Sequence, residues 1–271
     1  MDHTQADEGA ALKQRMAKIS HKILVLSGKG GVGKSTVAAN LALGLRKLDK
    51  SVGLLDVDIH GPSIPTMFHL SERPQINDEG NVVPSEFAAI KIMSIGLFLG
   101  GSDDAVIWRG PMKYGAIEQL LRDVEWGDLD YLVIDCPPGT GDEPLSVVQL
   151  IGVGQLDGAV IVTTPQDLAL IDVRRSIRFC HQLKLPVLGI IENMSGFTCP
   201  SCGAHFDIFS AGGGKDLALK LKTPFLGAIP IDPAVVESGD AGFPVILRNP
   251  ESRAAQAFEA AARALVAQHN T

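Results

Sequence analysis

The sequence predicts an α/β fold: a single domain with a mostly parallel sheet and helices on both of its faces. Short apolar runs alternate with segments of helical periodicity along the whole chain, the pattern of strands buried between helical layers. Most of those runs end in loops rich in glycine or aspartate, where open parallel sheets bind their ligands. No internal repeat or low-complexity linker divides the 271 residues, which suffice to bury a large core.

Taken in order, residues 1–20 are expected to be a flexible tail or a short helix, and residues 21–271 the domain proper. "KILVLS" reads as the first strand and "STVAANLALGLRKL" as the helix after it; "SVGLLDVD" reads as a second strand. The prolines and turn formers of 61–85 predict irregular structure. "AIKIMSIG", "LDYLVID", "GAVIVTT", "PVLGIIENM" and "PFLGAIP" supply further strands. "GAIEQLLRDV", "DLALIDVRRSIRFCHQL", "GGGKDLALKL" and "ESRAAQAFEAAARALVAQ" supply further helices.

The composition, 45% hydrophobic and 20% charged with a net charge of −7, argues against a broad nucleic-acid footprint, which needs a clustered positive field. No apolar run reaches membrane length, and the acidic start "MDHTQADEGA" is neither a signal nor a transit peptide. A cytoplasmic, reducing location is expected, with no nucleic acid and no membrane as partner. Four cysteines in that setting read as metal ligands, catalytic groups or core, rather than as a disulfide framework.

The segment "SGKGGVGKST" satisfies two phosphate-binding spacings. Gly28, Gly30 and Gly33 fit the dinucleotide pattern G-x-G-x-x-G, while Gly28, Gly33, Lys34 and Ser35 fit the mononucleotide P-loop G-x-x-x-x-G-K-[ST]. Lys34 and Ser35 decide for the P-loop, because only that site needs a lysine for the β/γ-phosphates and a hydroxyl for Mg²⁺ directly after the last glycine. Asp135, ending "YLVID", stands where a second-motif carboxylate supports Mg²⁺. The expected phosphate cradle is Gly28, Gly30, Gly31, Val32, Gly33, Lys34, Ser35 and Thr36. Of the two aspartates after the second strand, Asp58 is favoured over Asp56 to orient the attacking water.

"GKGGVGKST" resembles the deviant Walker A motif of the MinD/ParA/nitrogenase-iron-protein class of P-loop NTPases, with Lys29 as its signature lysine. The resemblance implies homodimers that sandwich ATP, Lys29 reaching the partner's nucleotide. Further on, "LLDVDIHGPSIP", "WRGPM", "YLVIDCPPGTGDE", "TTPQDLALIDVRR", "ENMSGFTCPSCG" and "IFSAGGG" together resemble the Mrp/ApbC-type iron–sulfur cluster carriers, over Lys22 to Pro250. Many bacterial members carry an extra small N-terminal domain and some eukaryotic ones an N-terminal four-cysteine site, so this chain is expected to be a minimal carrier. The resemblance also implies that Asn193 contacts adenine, with the segment around Pro230 to Pro233 closing the base pocket.

Cys199 and Cys202 form a C-x-x-C whose thiolates converge on one metal or cluster, with Pro200 and Gly203 shaping the turn. Two thiolates do not complete a site, and a twofold axis supplies two more. The expected function is an ATP-hydrolysing carrier that holds a 4Fe–4S cluster at a homodimer interface, receives it from scaffold donors and transfers it to apo-proteins. Alternatives are a zinc-bridged dimeric ATPase, its metal closed by His205 or by the partner's cysteines, a redox dithiol, a MinD/ParA-like positioning ATPase, and an electron-transfer ATPase. Cys180 reads as core; Cys136 is either structural or, beside the nucleotide, open to oxidation. His60 and His181 read as ordinary polar positions. Trp108 and Arg109 are placed at the dimer surface or near the nucleotide, without a role. The last helix, with only Arg253 and Arg263 as cations on its polar face, is expected to pack on the sheet rather than on a membrane.

Overall fold

The computed structural model describes residues 2–98 and 110–269, with 2–8 and 167–170 described as backbone alone. Trp108 and Arg109 lie outside the described residues.

The elements run α1 (Asp2–Met16), β1 (Ile19–Ser27), α2 (Lys34–Lys47), β2 (Val52–Asp56), α3 (Ile64–Met67), β3 (Ser85–Phe87) and β4 (Ile90–Ser94). They continue with α4 (Gly110–Arg122), β5 (Leu129–Asp135), α5 (Asp142–Ile151), β6 (Gly158–Thr163), α6 (Asp167–Gln182), β7 (Val187–Thr198) and β8 (His205–Phe206). The chain ends with α7 (Gly213–Leu221), β9 (Phe225–Ile231), α8 (Pro233–Asp240), α9 (Val245–Arg248) and α10 (Arg253–His269). The expected boundary at residue 20 falls inside β1, and α1 before it buries Leu12 and Met16 in the core.

All strands form one nine-stranded sheet in the order β3-β4-β2-β5-β1-β6-β7-β8, with β9 also on β7. Only β3 on β4 and β8 on β7 are antiparallel. β1 therefore lies at the centre, between β5 and β6, and its loop emerges among the carboxyl ends of its neighbours. Register brings those ends level: Asp135 pairs with Val25 on one side and with Asp56 on the other, and Thr163 pairs with Glu192.

Alternation along β1 feeds two layers. Ile23 and Val25 join the core under α2 and α10, whereas Leu24 and Leu26 join the core under α1, α4 and α5. A third cluster, including Ile161, Val173, Ile190 and Leu217, seats α6 and α7. Each fully buried aliphatic side chain contributes about 1.5–3 kcal/mol, so both faces hold the central strands rigid and fix the loops above them.

Candidate functional site

The loop between β1 and α2 is shaped by contacts that only glycine allows. A Cβ on Gly28 would lie 2.3 Å from Asp172 Cβ and 2.5 Å from its carbonyl carbon, so the loop packs directly on α6. Gly33 has φ +78°, and a Cβ there would lie 2.3 Å from Asn193 Nδ2. Gly33 caps α2 without any side-chain hydrogen bond, and the first turn of α2 has no acidic residue. Its N–H groups and positive dipole end are thus available to an anion. The loop walls a cavity of about 270 Å³ lined by Lys29, Gly30, Gly31, Val32, Gly33, Lys34, Ser35, Thr36 and Asp58. Ser27, Ser63, Met67 and Pro138 complete the lining.

The charges in this cavity are arranged around Lys34. Its ammonium is buried, 2.6 Å from Asp135 Oδ1 and 4.0 Å from Asp58 Oδ2, and donates to Ser35 Oγ at 3.1 Å. Asp135 is fully buried, and desolvation pushes its carboxyl above the usual range against the pull of Lys34. Its Oδ2 has no hydrogen-bond partner among the described residues. An orphaned carboxylate oxygen beside a serine hydroxyl, below a loop of open N–H groups, fits a Mg²⁺–phosphate pair.

The two aspartates of β2 separate in role. Asp56 accepts from Asp58 N at 3.0 Å, Ser94 Oγ at 3.0 Å and Ile64 N at 3.4 Å, sealed behind the cavity. Burial, then neighbouring Asp135, raises its pKa to about 8. Asp58 lines the cavity and accepts from Gly61 N at 3.2 Å, leaving carboxylate oxygen toward the phosphate space. Lys29 also lines the cavity and makes no ion pair among the described residues.

A second cavity of about 580 Å³ adjoins the first through Gly33, Thr36, Ser63 and Met67. Asn193 and Pro230 both line it, with Asp232, Val235 and Val236 of the α8 region forming its far wall. Asn193 Nδ2 donates to Val32 O at 2.9 Å, so this residue in the middle of β7 also holds the phosphate loop.

Glu192, one residue earlier, received no role from the sequence. It is fully buried, accepts from Ser195 Oγ at 2.5 Å and from Gly212 N at 3.0 Å, and also from Gly214 N. A buried acid followed by "SAGGGK" was the available signal: the glycines give the carboxylate unhindered access to the N-terminus of α7.

Beyond Asn193 the same strand climbs away from the nucleotide cavities to the cysteines. Met194 and Gly196 take φ values of +58° and +73°, and pairing with β9 shifts register between Asn193 and Phe197. Cys199 N donates to Ala204 O and Gly203 N to Cys199 O, each at 2.9 Å, closing the turn. Hydrogen bonds from the backbone N–H of Cys202 and then of Ser201 hold the Cys199 thiol below its usual range. Arg253 anchors the stem by donating to Thr198 Oγ1 at 2.7 Å. His205 turns its ring nitrogens to Thr198 and Asp207, and among the described residues no third ligating side chain joins Cys199 and Cys202. Cys202 is exposed and Cys199 half-buried; Cys136 and Cys180 are fully buried, with thiols raised by desolvation, Cys180 to about 12. Burial closes Cys136 to oxidants and leaves it a core residue.

The structure thus gathers Lys29, Lys34, Ser35, Thr36, Asp58 and Asp135 at one end of the sheet, with Asn193 and Pro230 beside them, and keeps Cys199 and Cys202 apart on their own turn. Residues 18–266 match the model of the ParA family, described as NUBPL iron-transfer P-loop NTPase. The chain belongs to this family.

Members of the family extend the comparison. The iron–sulfur cluster carrier protein of Methanocaldococcus jannaschii is 50% identical over 243 residues, 89% of this chain and 83% of that protein. A cytosolic Fe–S cluster assembly factor, the Nubp2 homolog of Anopheles gambiae, is 48% identical over 251 residues, 92% of this chain and 97% of its own. A nucleotide-binding protein from Archaeoglobus fulgidus, solved with ADP and with cobalt, superposes with a TM-score of 0.76 at 43% identity, covering 86% of this chain and 91% of that one. The nucleotide-binding P-loop domain with a parallel sheet is therefore common to family and chain. No helix among the described residues is long and apolar enough to cross a membrane.

Proposed function

We propose that this chain is a cytosolic, ATP-hydrolysing carrier that holds a 4Fe–4S cluster between two copies of itself and passes it to apo-proteins. The observation that carries the reading is the pair Cys199 and Cys202: two accessible thiols, one with a lowered pKa, just beyond a strand whose Asn193 holds the phosphate loop, with no third ligand in reach among the described residues. A cluster that wants four thiolates is satisfied by two such turns facing across a twofold axis. Phe206 and Ile208, more than half exposed beside the turn, offer apolar surface for the second copy to cover.

The nucleotide chemistry follows from the same geometry. Lys34 and the N–H groups of Gly30, Gly31 and Gly33 bind the β- and γ-phosphates, and Thr36 adds a hydroxyl contact. Mg²⁺, when bound, neutralises phosphate charge; Ser35 would ligate it and Asp135 would hold it through water. Asp58 orients the attacking water, and Lys29 completes the partner's site by adding positive charge where it develops. Asn193 and Pro230 bound the base.

Anaerobic reconstitution of the wild type and of Cys199→Ala/Cys202→Ala, with iron and protein counted, tests the cluster assignment. About four irons per dimer, lost in the double variant, is the expected result. Stoichiometric zinc on the cysteines with no cluster uptake would overturn it.

A further inference from the structure

At the amino ends of the strands, opposite the nucleotide, the starts of β1 and β5, the turn before β6 and the end of α10 bring together His21, Tyr131, Asp157 and His269. His21 Nδ1 lies 2.7 Å from Asp157 Oδ1, and His269 Nε2 lies 3.9 Å from the same oxygen. The two imidazoles stack at 4.2 Å with their planes 6° apart. Asp157 Oδ2 is occupied by Lys22 N at 2.7 Å, which leaves Oδ1 facing the rings. His269 is only 9% exposed, and its Nε2 is buried without a hydrogen-bond partner among the described residues.

A buried ring nitrogen aimed at a shared carboxylate oxygen is an unfinished site. From this geometry we propose that His21, Asp157 and His269 form a zinc site, independent of the cysteines. Their ligand atoms all lie within 4.8 Å of one another. Tetrahedral zinc, with bonds of about 2.0–2.1 Å, spaces its ligand atoms about 3.3 Å apart. The separations of 2.7 and 3.9 Å straddle that value, and because stacked rings hold their nitrogens in parallel planes, closing the cage also turns one imidazole out of the stack. Two imidazoles and one carboxylate are a donor set for zinc, whereas Mg²⁺ and Ca²⁺ prefer oxygen alone.

The surroundings complete the assignment. Tyr131 OH sits 3.0 Å from His269 Nδ1, the outer partner that orients a ligating ring. His21 and Asp157 remain 29% and 21% exposed, so water reaches the fourth position from one side. Bound zinc would tie the end of α10 to the central strand, stapling the last helix to the amino end of the sheet.

The test uses the full chain carrying Cys199→Ala/Cys202→Ala, with excess Mg²⁺ present, titrated calorimetrically with Zn²⁺ alone. One zinc per chain is expected, with a zinc-dependent rise in Tm. Adding His269→Ala or Asp157→Asn weakens binding about a hundredfold or more and abolishes the Tm rise, while Tyr131→Phe weakens it about tenfold. His21→Gln, at a partly exposed position and keeping a polar side chain, serves if the His269 variant is unfolded. A folded chain lacking Cys199 and Cys202 that takes up no zinc, or one whose zinc affinity is unchanged by these substitutions, overturns the proposal. Because Cys199 and Cys202 are absent throughout, either result leaves the cluster assignment to its own experiment.

Discussion

Asp56 and Asp135 are paired neighbours in the sheet, both buried, with one lysine nearby, Lys34, which sits on Asp135. Two carboxylates so placed do not both ionise easily, and the pair resolves by leaving Asp135 to the lysine and raising Asp56 from 3.8 to about 8. Between those values the folded chain holds a proton that the unfolded chain has released. The stabilisation is therefore fully present below the unfolded value and is lost as pH rises through the folded one. In nucleotide-free protein, Tm should fall from about pH 5 to about pH 8, and Asp56→Asn, neutral at every pH, should flatten that slope. Thermal melts at several pH values check this. Parallel wild-type and variant curves would show that Asp56 is ionised throughout. Asp58 lines the cavity and Asp56 does not, which supports the proposal that Asp58 orients the attacking water.

At the scale of elements, the parts legible in the sequence are those with long, uninterrupted patterns. β1, β2, β5, β6 and β7 are apolar runs that nothing else explains, and the phosphate loop announces itself by spacing. The parts that were not legible have other causes. α5 carries Pro144 in its first turn, where proline is tolerated, so its breaker hid a helix. α8 shows ordinary start signals, with Asp232 accepting from Ala234 N and Pro233 behind it, yet those prolines also read as a pocket wall. The two readings are compatible, because α8 builds the far side of the second cavity, where the base is proposed to sit. α1 has few apolar positions, and its value comes from tertiary burial of Leu12 and Met16. Leu12→Ala should cost about 2–5 kcal/mol in denaturant melts, where a solvated tail would give no change. Glu192 is the other element-scale device: its carboxylate joins β7, the stem of the cysteine turn and the start of α7. Glu192→Ala leaves those N–H groups unpaired and should destabilise by about 1–3 kcal/mol, with Glu192→Gln recovering part of it. A melt unchanged by either substitution would mean that water replaces the carboxylate freely.

At the scale of the whole molecule there are two working surfaces, and on the proposed reading neither is complete within a single chain. The phosphate cavity holds a lysine, Lys29, that no described residue pairs, and the cysteine turn holds two ligands where a cluster needs more. One twofold association would finish both, so a defect in one should leave the other measurable. On the proposed reading, Lys29→Ala removes the charge offered to the partner's nucleotide but none of the groups assigned to the chain's own: Lys34, the loop N–H groups and Asn193 stay in place. ATP affinity should therefore change little, while turnover falls by roughly a hundredfold or more, the scale for losing a charge stabiliser of the transition state. Wild-type turnover per chain should climb with protein concentration until the dimer saturates, and the variant should stay low across the same range. Cluster uptake at Cys199 and Cys202 should survive, since a bridging cluster joins the copies through a different loop. Measured together, turnover against protein concentration and iron per chain separate the two halves of the interface. A Lys29→Ala rate equal to wild type at every concentration would show that each chain hydrolyses ATP alone, and would leave the dimer resting on the cysteines.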